Sequence, residues 1–201
     1  SMQPVEVGDR HPLTTTNIED GDGAAVKHLR KGVQCGEWHP RTDAVRNPLG
    51  FEGYGKSAWG LTAGHGPGPE SRRINGVDRG FFGYGARGVP YGPDDGTLAP
   101  WGIIASLPFA PEIVLPAIRH CQDVYPATRT PYGFIGSFNP TYPAQSEDGS
   151  GWVCPVHYGL NQGPSVSMIE NYRAGLVWRL VGPCPYVGTG LRRAGFASGW
   201  L

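Results

Sequence analysis

Glycine and proline punctuate this chain so densely that no long regular element can run through most of it. They occupy about a quarter of the 201 residues, 32 and 20 respectively. Proline removes a backbone donor and fixes φ, and glycine carries a larger ordering entropy, so each shortens helices and strands for its own reason. Such a share can mark disorder. Six Trp, nine Tyr and seven Phe run through the same stretches, so these segments have rings to bury. The expected architecture is short helices joined by long, shaped loops, and loops held on a rigid scaffold are where binding residues collect.

Charge and length exclude several functions. Lys plus Arg is 17 and Asp plus Glu is 17, so there is no basic face for nucleic acid or an anionic membrane. No run of about 18 apolar residues is present, hence no expected membrane span. No basic-then-apolar signal peptide opens the sequence. The cysteines, Cys35, Cys121, Cys154 and Cys184, show no C-x-x-C pair and no zinc-type histidine spacing, so no metal is expected. Four cysteines allow three pairings, which spacing does not choose among; Cys121 sits in an apolar helical pattern and reads as a free core thiol. There is no phosphate-cradling glycine-lysine motif, and no cofactor is expected.

Residues 1–23 read as an irregular arm. Residues 24–35 carry a weak helical stripe of Val26, Leu29 and Val33. Residues 38–48, broken by Pro40 and Pro48, read as loop. The stretch 92–110, GPDDGTLAPWGIIASLPFA, is the most informative. A Gly-Pro turn presents Asp94 and Asp95, Gly96 permits a tight turn, and Thr97 is a candidate N-cap for an apolar helix over 98–107. The two carboxylates either cap that helix or line a pocket for a polar ligand. A second helix is expected over 110–125, with Pro111 at its start and Pro116 kinking it. The longest helix is expected over 164–181, with Pro164 at its first position. Its apolar residues Val166, Ile169, Tyr172, Leu176, Val177 and Leu180 predict burial on more than one side. A last short helix covers 185–194. Between these lie aromatic and glycine-rich loops at 51–69, 81–93 and 130–142. Tyr54 and Trp59 can stack on sugar faces or pack in the core. His65, between glycines, is expected at a loop surface or pocket. Glu170 has Arg173 three residues on, a pairing distance on a helix.

Five stretches taken together resemble the bacterial glucoamylase-like family that includes the endo-β-1,2-glucanases. They are GYGKSAWGLTA (53–63), YGPDDGTLAPWGIIASLPFAPEIVLPAIRH (91–120), PYGFIGSFNP (131–140), GLNQGPSVSMIENYRAGLVWRLV (159–181) and PYVGTGLRRAGF (185–196), in the family's order. The resemblance covers roughly 49–201 and leaves 1–48 unmatched. It implies an all-α architecture, part of an (α/α) toroid of helical hairpins, with the site at one end of the ring. A complete double ring needs about twelve helices, more than 201 residues hold at about 11–12 residues per helix plus loops. Four or five are expected here, so the chain reads as the C-terminal part of the toroid, completed by a second chain or a missing N-terminal half. The implied partner is an oligo- or polysaccharide, most plausibly β-1,2-glucan, and the implied location is periplasmic or extracellular.

The same resemblance assigns candidates for the site. Asp94 and Asp95 keep the family's acids, and Glu170 matches its pattern, so these three are the catalytic candidates. Tyr54, Trp59, His65, Trp101, Tyr132, Asn139, Asn161 and Gln162 are the substrate-binding candidates. Three positions depart from the pattern: His65, Gly136 and Asn161 stand where the family usually carries carboxylates. Glycoside hydrolysis ordinarily needs two carboxyl groups, and an amide cannot take a proton as a carboxylate does. Three readings follow: a β-glucan hydrolase domain using Asp94 or Asp95, a non-catalytic carbohydrate-binding relic, or a helical fragment with no ligand of its own.

Overall fold

The computed structural model describes residues 40–89, 92–143 and 147–196. The arm at 1–23 and the helix expected over 24–35 lie outside them. Residues 36–177 form one compact unit, and the segment from Trp178 onward belongs to a second.

In the first unit the helices are α1 (Pro40–Arg46), α2 (Pro100–Ile104), α3 (Pro111–Val124) and α4 (Gly159–Ala174). Next come α5 (Leu176–Val181), and α6 (Pro185–Arg193) in the second unit. The loop expected over 38–48 is helical instead: Pro40 opens α1, a position where a missing N–H costs nothing. The helix expected over 98–107 shortens to α2. Leu98 is taken by β-type pairing, its N–H and C=O both bonding Phe138 at 2.8 and 2.9 Å. The N-cap of α2 is Ala99, with no side-chain cap, so neither Thr97 nor either aspartate caps it. Helix α3 matches expectation, starting at Pro111 and running on through Pro116, which is exposed. Its Val114, Ala117 and Cys121 are buried at helical spacing.

The expectation of an all-α chain is met only in part, since four antiparallel two-stranded ladders accompany the helices. Strands β1 (Gly64–His65) and β4 (Tyr84–Gly85) pair, bracketing the longer hairpin of β2 (Glu70–Ile74) and β3 (Val77–Phe81). That hairpin turns on Asn75–Gly76, both at positive φ (49° and 80°), as a tight two-residue turn requires. Strands β5 (Arg129–Thr130) and β6 (Gly133–Phe134) form a third ladder, and β7 (Phe138–Asn139) with β8 (Trp152–Val153) a fourth. Backbone groups in the long loops need partners once buried, and these short ladders supply them.

Two apolar clusters hold the unit together. One joins Ala44 of α1, Trp59, Ile103 and Leu107, and Val114, Ala117 and Cys121 of α3. The other joins Ala58, Leu98, Tyr125, Ile135, Phe138 and Cys154. Tyr54 packs against both. Fully burying a side chain such as Phe138 is worth about 1.5–3 kcal/mol. Cys121, Cys154 and Cys184 are free thiols. Burial in apolar surroundings pushes the Cys121 thiol up to about 12, in keeping with a core role.

The longest helix departs most from expectation. It begins at Gly159, so Pro164 lies inside it, and Gly175 in the left-handed region ends it. The residues it buries are polar, Asn161, Ser165 and Asn171. Val166, Ile169, Tyr172 and Leu176 are exposed. No helix among the described residues is long and apolar enough to cross a membrane.

Candidate functional site

The two neighbouring aspartates have opposite environments. Asp95 is completely buried. Its Oδ1 accepts from Arg87 Nε at 2.6 Å and from the Thr97 N–H at 3.1 Å, and its Oδ2 from Arg87 Nη2 at 2.9 Å and the Phe82 N–H at 2.9 Å. Arg87 Nη1 donates onward to the carbonyls of Gly64 and Gly85, which belong to β1 and β4. Burial alone would raise the Asp95 pKa. The Arg87 guanidinium, together with the Phe82 and Thr97 N–H donors, outweighs it and holds the carboxyl below the usual carboxylate range. A carboxylate saturated with four donors and shut from solvent cannot reach a substrate, so Asp95 is a clamp that closes the nested hairpins.

Asp94 is half-buried and asymmetric. Its Oδ1 accepts from the Tyr54 phenol at 2.7 Å and from the Gly96 N–H at 3.0 Å. Among the described residues Oδ2 has no hydrogen-bond partner. Gly96 stands at φ +83°, and a Cβ there would come within 2.7 Å of the Phe51 ring, so the turn that aims Asp94 needs glycine. Burial raises the Asp94 pKa, and the nearby Asp95 and Asp43 carboxylates push the same way. The Tyr54 and Gly96 donors oppose them without reversing the shift. Such a carboxyl holds its proton to higher pH than an exposed one.

A second constellation lies around Tyr158. The His65 ring stacks on Tyr158 with centroids 5.1 Å apart and planes 6° apart, and meets Tyr84 edge-on at 5.1 Å. A Cβ built on Gly136 falls 2.7 Å from Asn161 Nδ2 and 3.6 Å from the Tyr158 ring. The three positions that depart from the family pattern, His65, Gly136 and Asn161, thus share one neighbour. Asn161 is buried, and its side-chain amide makes no hydrogen bond among the described residues. The two constellations adjoin along the chain: next to His65, Gly66 sits against both Arg87 and Asp95, and the Ser137 hydroxyl donates to the His65 carbonyl at 2.6 Å.

The other candidates fall in different places. Trp59 is a core residue, 7% exposed, too deep to stack on a sugar. The Tyr54 ring packs between the two clusters and presents its hydroxyl to Asp94 instead of a ring face to solvent. Asn139 is fully buried: its amide donates to the Asp95 carbonyl and Thr97 Oγ1 and accepts from the Tyr142 N–H, so it ties loops together. Gln162 Nε2 donates to the Phe134 carbonyl at 2.6 Å. Trp101 is half-buried, and its indole N–H has no partner among the described residues. Tyr132, 81% exposed, meets His157 edge-on at 6.2 Å, and His157 Nε2 lies 3.0 Å from Thr130 Oγ1. Glu170 pairs with Arg173 at 3.5 Å on the surface of α4, with no link to Asp94 among these contacts.

Sequence reasoning missed Arg87, Tyr84, Tyr158 and Asp43. Arg87 lies in a loop without periodicity, so nothing singled it out. Tyr84 and Tyr158 are rings in glycine-rich segments, a signal noted for Tyr54 but not followed to these positions. Asp43 is buried on α1, in a stretch whose sequence reads as loop.

The described residues form a scaffold of short helices and shaped loops that presents one half-buried carboxyl with a raised pKa and exposed rings. The Glycoamylase family model matches residues 15–185, and the chain belongs to that family. It is 33% identical over 150 residues to an exo beta-1,2-glucooligosaccharide sophorohydrolase (non-reducing end) of Parabacteroides distasonis, covering 74% of this chain and 18% of that protein. An endo-beta-1,2-glucanase of Chitinophaga pinensis, solved with sophorotriose and glucose, superposes with a TM-score of 0.65 at 28% identity, over 89% of this chain and 36% of that one. A beta-1,2-glucanase of Parabacteroides distasonis gives 0.63 at 30%, over 85% and 21%. The chain therefore spans about a third or less of these relatives.

Proposed function

We propose that this chain is the glycan-handling part of a glycoside hydrolase acting on β-1,2-linked glucan, with Asp94 as a proton donor to the glycosidic oxygen. The observation that supports this most is the asymmetry of Asp94: one oxygen held by two donors, the other without a partner among the described residues, in a setting that keeps the group protonated to higher pH. A general acid needs those properties. Tyr84, Tyr132 and His65 supply ring surface for sugar faces, and Asn161 an amide for a hydroxyl. Leaving-group departure needs a second carboxyl, about 5–5.5 Å away for retention or about 6.5–9.5 Å for inversion. Asp95 is unsuited because its oxygens are saturated. The remainder of an (α/α) toroid, from other polypeptide, is the source this reading assigns to the second carboxyl, and a periplasmic or extracellular location goes with a polymeric substrate.

A second reading, a non-catalytic glycan-binding module, is favoured by one observation: His65, Gly136 and Asn161 gather around Tyr158 without a carboxylate among them. Incubating linear β-1,2-glucan with the chain joined to the polypeptide that completes the toroid separates the two, with products and bound sugar read from one sample. New short oligosaccharides that vanish in Asp94→Asn support the hydrolase. Saturable binding without products supports the binding module. A folded chain showing neither refutes both.

A further inference from the structure

Tyr54 carries a feature that neither sugar stacking nor core packing explains. Its ring is wedged between the two apolar clusters and tilts against Phe51 at 5.3 Å. The preceding Gly53 stands at φ +81°, and a Cβ there would lie 2.8 Å from Pro140 and 2.9 Å from the Tyr125 hydroxyl. The phenol is thus fixed from several sides, and its one polar atom ends 2.7 Å from Asp94 Oδ1. The Gly96 N–H reaches the same oxygen. Both donors meet one oxygen, and among the described residues the other has no hydrogen-bond partner.

We propose that Tyr54 is a positioning residue: its phenol and the Gly96 N–H together pin Asp94 Oδ1, so that Oδ2 alone carries and delivers the proton. The inference rests on the reading of Asp94 as the acid only for its functional meaning. The pinning itself is a property of the unliganded protein. A phenol can fill the role because it is forced to stay neutral. Burial raises its pKa, the Asp94 charge and hydrogen bond raise it further, and Asp95 adds to this against the opposing Arg87. The charged and titratable groups that bear on Asp94 are Tyr54, Asp95 and Asp43. Of these Tyr54 is the donor, and its loss removes support from the ionised form without adding a charge.

The test is the titration midpoint of the Asp94 carboxyl by carbon NMR in the whole chain, with Asp94→Asn assigning the signal. Tyr54→Phe keeps the ring volume and deletes the donor, and a hydrogen bond to a charged group is worth enough to raise the midpoint by about one to two units. Replacing Tyr54 by 3-fluorotyrosine keeps the bond and strengthens the donor, so the midpoint should fall. Opposite shifts in the two variants establish the role, and a merely structural tyrosine would not produce them. If Tyr54→Phe fails to fold, the fluorinated protein alone decides, since an unchanged or raised midpoint there overturns the proposal. An unchanged midpoint in folded Tyr54→Phe overturns it as well. Adding sophorotriose to the same samples separates the two claims. If the shifts appear but sugar leaves the Asp94 signal untouched, Tyr54 positions Asp94 and the reading of Asp94 as the glycan acid fails.

Discussion

Replacing Arg87 by methionine should unfold the base of the nested hairpins, with a pH dependence that identifies the cause. Both side chains of the Arg87–Asp95 pair are fully buried. The substitution removes two of the four donors to Asp95 and strips partners from the carbonyls of Gly64 and Gly85. Breaking a buried pair from one side costs about 3–5 kcal/mol, because a charge is left without its counterion. At about 2–4 °C per kcal/mol for a chain of this size, the melting temperature should fall by roughly 6–20 °C. In the intact protein Asp95 titrates below its unfolded value, so its contribution is present above about pH 4 and lost as pH drops through the folded pKa. Without Arg87 only the Phe82 and Thr97 N–H donors still oppose burial, which then lifts Asp95 above its unfolded value and reverses that sign. The gap between parent and variant in calorimetric scans should therefore be widest near pH 7 and narrow towards pH 4. The double variant Arg87→Met with Asp95→Leu should recover part of the loss, because neither charge remains buried. A loss under about 1 kcal/mol, or a gap constant from pH 7 to 4, would refute the clamp.

Other variants address the remaining parts of the site. Asp94→Asn keeps an acceptor for Tyr54 and Gly96 and removes a half-buried charge, so glucan turnover by the completed toroid should vanish while the melting temperature of the chain at pH 7 holds or rises. Because the folded Asp94 pKa is raised, its contribution is full below the unfolded pKa and fades as pH rises. The parent should therefore gain on Asp94→Asn as pH falls from 7 to 4 in paired melting scans. Gly136→Ala places a methyl against Asn161 and should cost about 1–3 kcal/mol in urea unfolding, relieved in part by adding Asn161→Ala; strict additivity would show that the two do not touch. On α4, Val166→Lys with Ile169→Lys should change stability by no more than about 0.5 kcal/mol each and reduce self-association in sedimentation, whereas collapse of the fold would show that this stripe is covered.

What the sequence disclosed follows from the range over which each signal acts. Pro111 opening α3, the helical stripe of Val114, Ala117 and Cys121, and the turn glycine at 96 are local features, and local sterics decide them. The Asn75–Gly76 hairpin was equally legible from its dipeptide and was passed over. The roles of Asp94 and Asp95 were not legible, because adjacent residues of one type are distinguished only by what arrives from elsewhere. Arg87 arrives from a loop eight residues back, and Tyr54 from forty. Asn139 and Trp59 look like ligand groups in an aromatic, glycine-rich stretch, yet the same chemistry serves to fasten loops and fill a core, and only burial separates the uses. Helix α4 shows the same limit at larger scale. Its apolar stripe predicts burial, yet Val166, Ile169 and Tyr172 are exposed, because periodicity carries no information about what packs there. In this chain the polar side, with Asn161 and Ser165, is turned inward, and Val166, Ile169 and Tyr172 are left outside. An apolar face read from a chain that spans a third of its relatives is therefore a statement about the fold family first, and about this chain's own core only where its residues are found buried.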